Sequence, residues 1–141
     1  MLCWIFILFI DKQFKEFIMK IRIEMDDVLS DCVNSAIEEV KTLLMEYLKD
    51  NNLSDCDLSD IDYHGELHEI IDSSVPVYTK QIKDAWYLHG DELTDAYMNA
   101  GIGNNPMDND GMAAIYCYIQ QEVYHWFDDN KDDLFAEAEA A

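Results

Sequence analysis

Residues 26–141 carry 27 carboxylates against five lysines, a net charge of −22. Any fold this stretch adopts must hold those groups at the surface, because an isolated buried carboxylate costs more than a small domain can supply. It must also bury enough apolar side chain to offset the repulsion among them. The material for that core is present. Half of the chain is hydrophobic, with eight Tyr, six Phe and three Trp, whereas a disordered acidic tail is poor in aromatics. A length of 141 residues suits one domain.

The charge excludes some partners. Phosphate binding depends on Lys and Arg, so nucleic acid is excluded, and anionic membranes fall for the same reason. A basic protein partner or metal cations are favoured. Cys3, Cys32, Cys56 and Cys117 form no Cys-x-x-Cys pair. They suggest reduced thiols in a cytoplasm, with neither a zinc site nor a disulfide framework.

Residues 1–25 differ from the rest, with four basic against three acidic groups. The run MLCWIFILFI at 1–10 is too short to cross a bilayer, which takes roughly 20 residues. It has no positive flank before it and no small-residue cleavage site after it. It reads as a buried strand or as an upstream extension before Met19 or Met25, and residues 1–18 are expected to be dispensable for folding. The division is therefore an apolar leader at 1–25 and an acidic helical domain at 26–141.

Within that domain the apolar spacing predicts helices throughout. Val28, Cys32, Ala36, Val40, Leu43, Leu44, Tyr47 and Leu48 recur at three- and four-residue steps over 27–50. Asp26 or Asp27 suits the N-cap, and Asn51-Asn52 the end. LSDCDLS at 53–59 reads as a connector, and a shorter helix over about Asp62 to Asp72 turns Leu67, Ile70 and Ile71 inward. Ser74 and Pro76 suit the start of a third helix, with Ile82, Ala85 and Trp86 inward, running to about Leu88 and stopped by Gly90. Asp91 suits the cap of a fourth through Leu93, Ala96, Tyr97 and Ala100, ended by Gly101. GIGNNPMDNDG at 101–111 is a loop. The last helix starts near Met112 with Ile115, Tyr116, Ile119, Val123, Trp126 and Phe127 as its stripe. The expected class is all-α, a compact acidic domain of about five helices.

Recognisable chemistry is sparse. His64 and His68 lie four apart, but the run is HGELH rather than HExxH, and Gly65 weakens a helix there. The acids from Asp55 to Glu66 follow a calcium-loop register until Asp60 occupies the glycine position. GIGNN follows no strand, and no nucleophile elbow or Cys–His pairing is present. No metal, no cofactor and no enzymatic activity are expected. An enzyme would need a pocket that gathers His64, His68 and carboxylates.

The acids themselves are the remaining signal. Asp60, Asp62, Glu66, Glu69 and Asp72 crowd the run DIDYHGELHEIID, and Asp128, Asp129, Asp132 and Asp133 crowd the last helix. Duplex DNA carries one charge per roughly 1.7 Å, so 22 charges match about 37 Å of duplex, or about eleven base pairs. A 24-residue helix spans about 36 Å.

Asp60-Ile61, Glu66-Leu67-His68-Glu69, Ile71-Asp72, Val75-Pro76 and Tyr78 resemble the Ocr family of phage antirestriction proteins, which have an acidic D-L-H-D run followed by D-x-x-V-P-x-Y. Alignment takes a gap of four residues between Ile71 and Asp72, about one helical turn. Ile82, Ala113-x-Ile115-Tyr116 and Asp132-Asp133-Leu134 are similar too, so the likeness covers about 60–139. It implies an all-helical, dimeric DNA mimic that fills the DNA groove of type I restriction-modification enzymes in the host cytoplasm, with carboxylates standing for phosphates. Asp60, Glu66, Glu69 and Asp72 fall on family acids. Lys83 and Tyr87 stand where the family's dimer contact has an apolar and a small residue, which counts against a homodimer here. The acidic tail is shorter and the leader is extra. The expected phosphate-mimicking residues are Asp60, Asp62, Glu66, Glu69, Asp72, Asp128, Asp129, Asp132 and Asp133. The expected partner is a basic DNA-binding protein. The rival reading is an acidic inhibitor or immunity-like module directed at one basic partner.

Overall fold

A computed structural model describes Gln13, residues 27–62 and residues 64–140. The leader expected at 1–25 lies almost wholly outside the described residues, and so does the expectation that 1–18 are dispensable. Among the described residues the chain is all-α, with no strand: α1 (Val28–Asp50), α2 (Leu58–Ile61), α3 (Glu66–Ser74), α4 (Thr79–Ala100), a 3-10 turn (Asp108–Gly111) and α5 (Met112–Ala140).

α1 matches the expectation closely. Asp27 caps it, its Oδ1 accepting the Ser30 N–H at 3.1 Å. Its stripe of Leu29, Ala36, Val40, Leu44 and Leu48 is buried. Asn51 closes the helix and Asn52 turns the chain in the left-handed region at φ 54°.

The helix expected over 62–72 is α3, which starts later, at Glu66, and a separate short turn precedes it. Leu58–Ile61 forms a single turn that buries Leu58 and Ile61, so the supposed connector contributes core. Gly65 then sits at φ 78°, a conformation that costs a side chain about 1 kcal/mol, and the chain re-enters helix at Glu66. Asp62 makes that break workable: its Oδ1 accepts the Leu67 N–H at 3.0 Å and the His68 N–H at 3.4 Å, serving amides that an uninterrupted helix would satisfy.

Ser74 does not start the next helix as expected. It ends α3, with its hydroxyl donating to the Ile70 carbonyl at 2.8 Å. Val75 is extended (φ −69°, ψ 129°), as a residue before proline prefers, and it is buried with Pro76. The helices expected on either side of Gly90 are the two halves of α4, divided by a kink at His89 (φ −131°, ψ 24°), one residue before that glycine. Asp91 lies in the first turn of the second half, and Ala100 faces solvent rather than the core.

α5 is the spine. Ile115, Ile119, Val123 and Phe127 follow at four-residue steps, and they are buried with Ala114, Cys117 and Leu134. The helix is about 43 Å long at the usual rise for its 29 residues. α1 and α4 pack along it. α4 and α5 run in roughly the same direction: Trp86 meets Gly111 at their starts, and Ala96 to Ala100 lie beside Cys117 to Tyr124 further on. Neighbouring helices that point the same way need a long return connection, and residues 101–111 supply it.

That return is tightly specified. Asn109, Asp110 and Gly111 take φ of 54°, 57° and 86° in succession. The Trp86 indole N–H donates to the Gly111 carbonyl at 3.1 Å. A Cβ on Gly111 would lie 2.2 Å from Trp86 Nε1, whereas one on Gly65 would meet nothing within 4 Å. Both sites disfavour L-residues, so Gly65→Ala reports the backbone cost alone, about 1 kcal/mol. Gly111→Ala adds the clash and is expected to cost at least about 2 kcal/mol more. Urea unfolding of the two variants measures the difference; equal losses would show that Trp86 does not pin the return.

Candidate functional site

No described acid is buried. Of the 26 acidic residues from Asp27 to Glu139, 22 are exposed and Asp62, Glu66, Asp84 and Glu122 are half-buried. The amphipathic spacing produces this outcome, since each helix turns its apolar stripe to α5 and its acids outward. Five lysines share the region, and Lys41 pairs with Glu137 at 3.5 Å and Lys80 with Asp84 at 2.8 Å. Such exposed pairs are worth little and leave most of the negative charge uncompensated.

Asp60 is where the predicted acids meet. On one side it lines a cavity of about 560 Å³ with Asp55, Asp57, Lys131 and Asp132, joining the α2 turn to α5. On the other it lines a cavity of about 320 Å³ with Glu46 and Asp50 of α1 and Glu66 of α3. Asp60, Glu66 and Asp132 thus belong to one continuous acidic surface. Glu46, Asp50, Asp55 and Asp57 join it although none of them is among the acids expected to mimic phosphates. Their signal was the same acidic character as elsewhere, and only the chain's path across 51–60 selects them.

The other predicted acids are distributed around this surface. Glu69 and Asp72 are exposed on α3, as are Asp128 and Asp133 on α5. Asp72 and Asp62 lie near Tyr116, where burial first and these two carboxylates next push the phenol above its usual range. Asp129 lines a separate cavity between α1 and α5. Three predicted acids also have structural work. Asp62 caps α3, Asp60 Oδ2 accepts the Asp57 N–H at 2.9 Å, and Glu66 Oε2 accepts the His64 N–H at 2.9 Å. Hydrogen bonds from Glu66's own backbone N–H and from that of His64 hold its carboxyl below the ordinary value.

His64 and His68 part company: His64 lines the cavity of Asp60 and Glu66, and His68 does not. His68 Nδ1 lies 2.6 Å from the Tyr116 hydroxyl, joining α3 to α5. Among the described residues no three His, Cys, Asp or Glu side chains converge in an arrangement that could hold a metal ion. No described helix is long and apolar enough to cross a membrane. Comparison with protein-family models, curated proteins and solved structures returned no match.

Cys56 reports the local potential. It sits at the centre of the Asp55, Asp57 and Asp60 group, and its thiol is pushed up to about 11, by burial first and then by Asp60, Asp57 and Asp55. Alkylation at neutral pH is therefore expected to run roughly a hundredfold slower than at an unperturbed thiol. Salt and Asp55→Asn should each speed it, because both weaken the surrounding negative field. A rate indifferent to both would assign the effect to burial alone.

Proposed function

We propose that this chain is a DNA mimic, a phage-type antirestriction protein that occupies the DNA-binding site of a restriction-modification or related defence enzyme in the host cytoplasm. Its carboxylates stand in for phosphates and pair with the Lys and Arg that would otherwise grip the duplex. The observation that carries this reading is the exposure of 22 of 26 acids on a helical frame. The frame matters because a partner shaped for a duplex gains most from charges already held in place. At about 43 Å, the 29 residues of α5 span roughly thirteen base pairs' length of duplex. The resemblance of residues 60–139 to the Ocr family supports a type I enzyme as the partner.

The mechanism is competitive and needs no catalytic group. The continuous surface around Asp60 supplies carboxylates from α1, the α2 turn, α3 and α5, so no single acid dominates it. A second reading, an inhibitor directed at one basic partner, draws on a different observation. Val77, Tyr78, Tyr87 and Met107 are large side chains that remain 72%, 71%, 55% and 54% exposed near the start of α4. Exposed apolar groups of this size mark protein contacts in many folds.

Salt separates the readings. Screening weakens repulsion within the free protein, and at 0.15 M the Debye length is already about 8 Å. Added salt is therefore expected to raise its melting temperature while lowering its affinity for a type I enzyme. Replacing Glu69, Asp128, Asp132 and Asp133 together with Gln, Asn, Asn and Asn spares the capping acids. It should stabilise the protein at low salt and weaken the complex at least tenfold. Each single change should alter binding by less than about 1 kcal/mol. Melting curves and DNA-displacement titrations at low and high salt make the test. Binding indifferent to salt and to the fourfold change, but lost on Val77→Asp, would overturn mimicry in favour of the apolar contact.

A further inference from the structure

The bend in α4 carries a feature that phosphate mimicry does not use. His89 sits at the bend with both ring nitrogens facing carboxylates: Nδ1 is 2.6 Å from Glu92 Oε2, and Nε2 is 3.0 Å from Asp27 Oδ1. A neutral imidazole has one N–H and one lone pair, so one of those carboxylates would face a lone pair. Only the imidazolium donates to both. Asp27 is also the cap of α1, and the same Oδ1 accepts the Ser30 N–H. The ring thus joins the bend in one helix to the first turn of another.

We propose that His89 is a proton-dependent latch: as the imidazolium it ties the α4 bend to the N-terminal cap of α1, and loss of its proton as pH rises releases one carboxylate and loosens the start of α1. The surroundings favour the charged form. α1 contributes Asp27, α4 contributes Glu92, and α5 contributes Tyr118, Glu122, His125 and Asp129 along a shared cavity of about 460 Å³ whose described lining includes no lysine. His125, 3.9 Å from Glu122, is a second imidazole in that cavity. Burial pushes the His89 imidazole down, but hydrogen bonds with Glu92 and Asp27 push it up, and the net direction is up. A folded value above the unfolded one, about 6.5, places the stabilisation fully below about 6.5. It is lost as pH rises through the folded value.

The test is ring-nitrogen NMR on the whole chain from about pH 5 to about pH 9, with amide exchange at Leu29 to Val33 corrected for its intrinsic pH dependence. His89 is expected to keep both N–H groups above pH 6.5. Protection at those amides should fall through the same midpoint, by about tenfold for each unit by which the midpoint exceeds 6.5. Asp27→Asn can still cap α1 and should lower the midpoint, whereas His125→Gln should leave it in place. His89→Gln should remove the step in protection while retaining the helical circular dichroism. A midpoint at or below 6.5, or α1 protection equal on both sides of it, would overturn the latch. If His89→Gln does not fold, the wild-type titration and Asp27→Asn still decide.

Discussion

The buried face of α5 is the constraint on which the rest of the molecule depends. Ile115, Ile119, Val123 and Phe127 give α1 and α4 a common surface to close upon. Burying a large aliphatic or aromatic side chain contributes about 1.5–3 kcal/mol. A chain with a net charge of −21 needs that contribution, because compaction brings its acids closer together. The core meets the need without admitting a charged group: the buried set is hydrophobic throughout the described residues.

This division of labour shapes the surface. Since the core supplies cohesion, ion pairs need not, and most acids are left for solvent or a partner. The rigidity that a mimic would exploit comes from the same source. It is reinforced at three joints where side chains satisfy backbone groups: Asp62 over the break before α3, Trp86 over the return before α5, and Asp27 with His89 between α1 and α4. Two of these joints use acids: Asp27, which the sequence marks as a helix cap, and Asp62, which it marks only as surface charge. A carboxylate in this protein can therefore serve as a helix cap, as exposed charge or as both, and its effect when neutralised depends on which.

Much of the architecture was legible from spacing. The α1 stripe, the α5 stripe and the helical stops at Asn51 and Gly101 follow from periodicity and end signals, which act over a few residues. The acidic outer surface follows from the same periodicity, since acids off an apolar stripe face water. Gly90 and Asp91 read as a stop and a restart, and the backbone does leave helical geometry beside them, at His89; the two halves stay stacked as α4 because Ala85, Leu93, Ala96 and Tyr97 are all buried. Leu58 reads as part of the connector at 53–59 because acids surround it, yet with Ile61 it is buried in a short helical turn.

The sequence by itself determined the helical class, the inward and outward faces and the sign of the surface, because each depends on residue type at short spacing. Tertiary structure decided which acids share a surface. Asp60 lines one cavity with Asp132 and another with Glu66 only because the chain folds back after α1 and α5 passes beside the α2 turn, bringing together residues up to 72 positions apart. It also decided that His89 lies against Asp27, 62 positions away, and that Trp86 closes on Gly111. No local pattern encodes those pairings, since they arise from how whole helices stack once their apolar faces are buried.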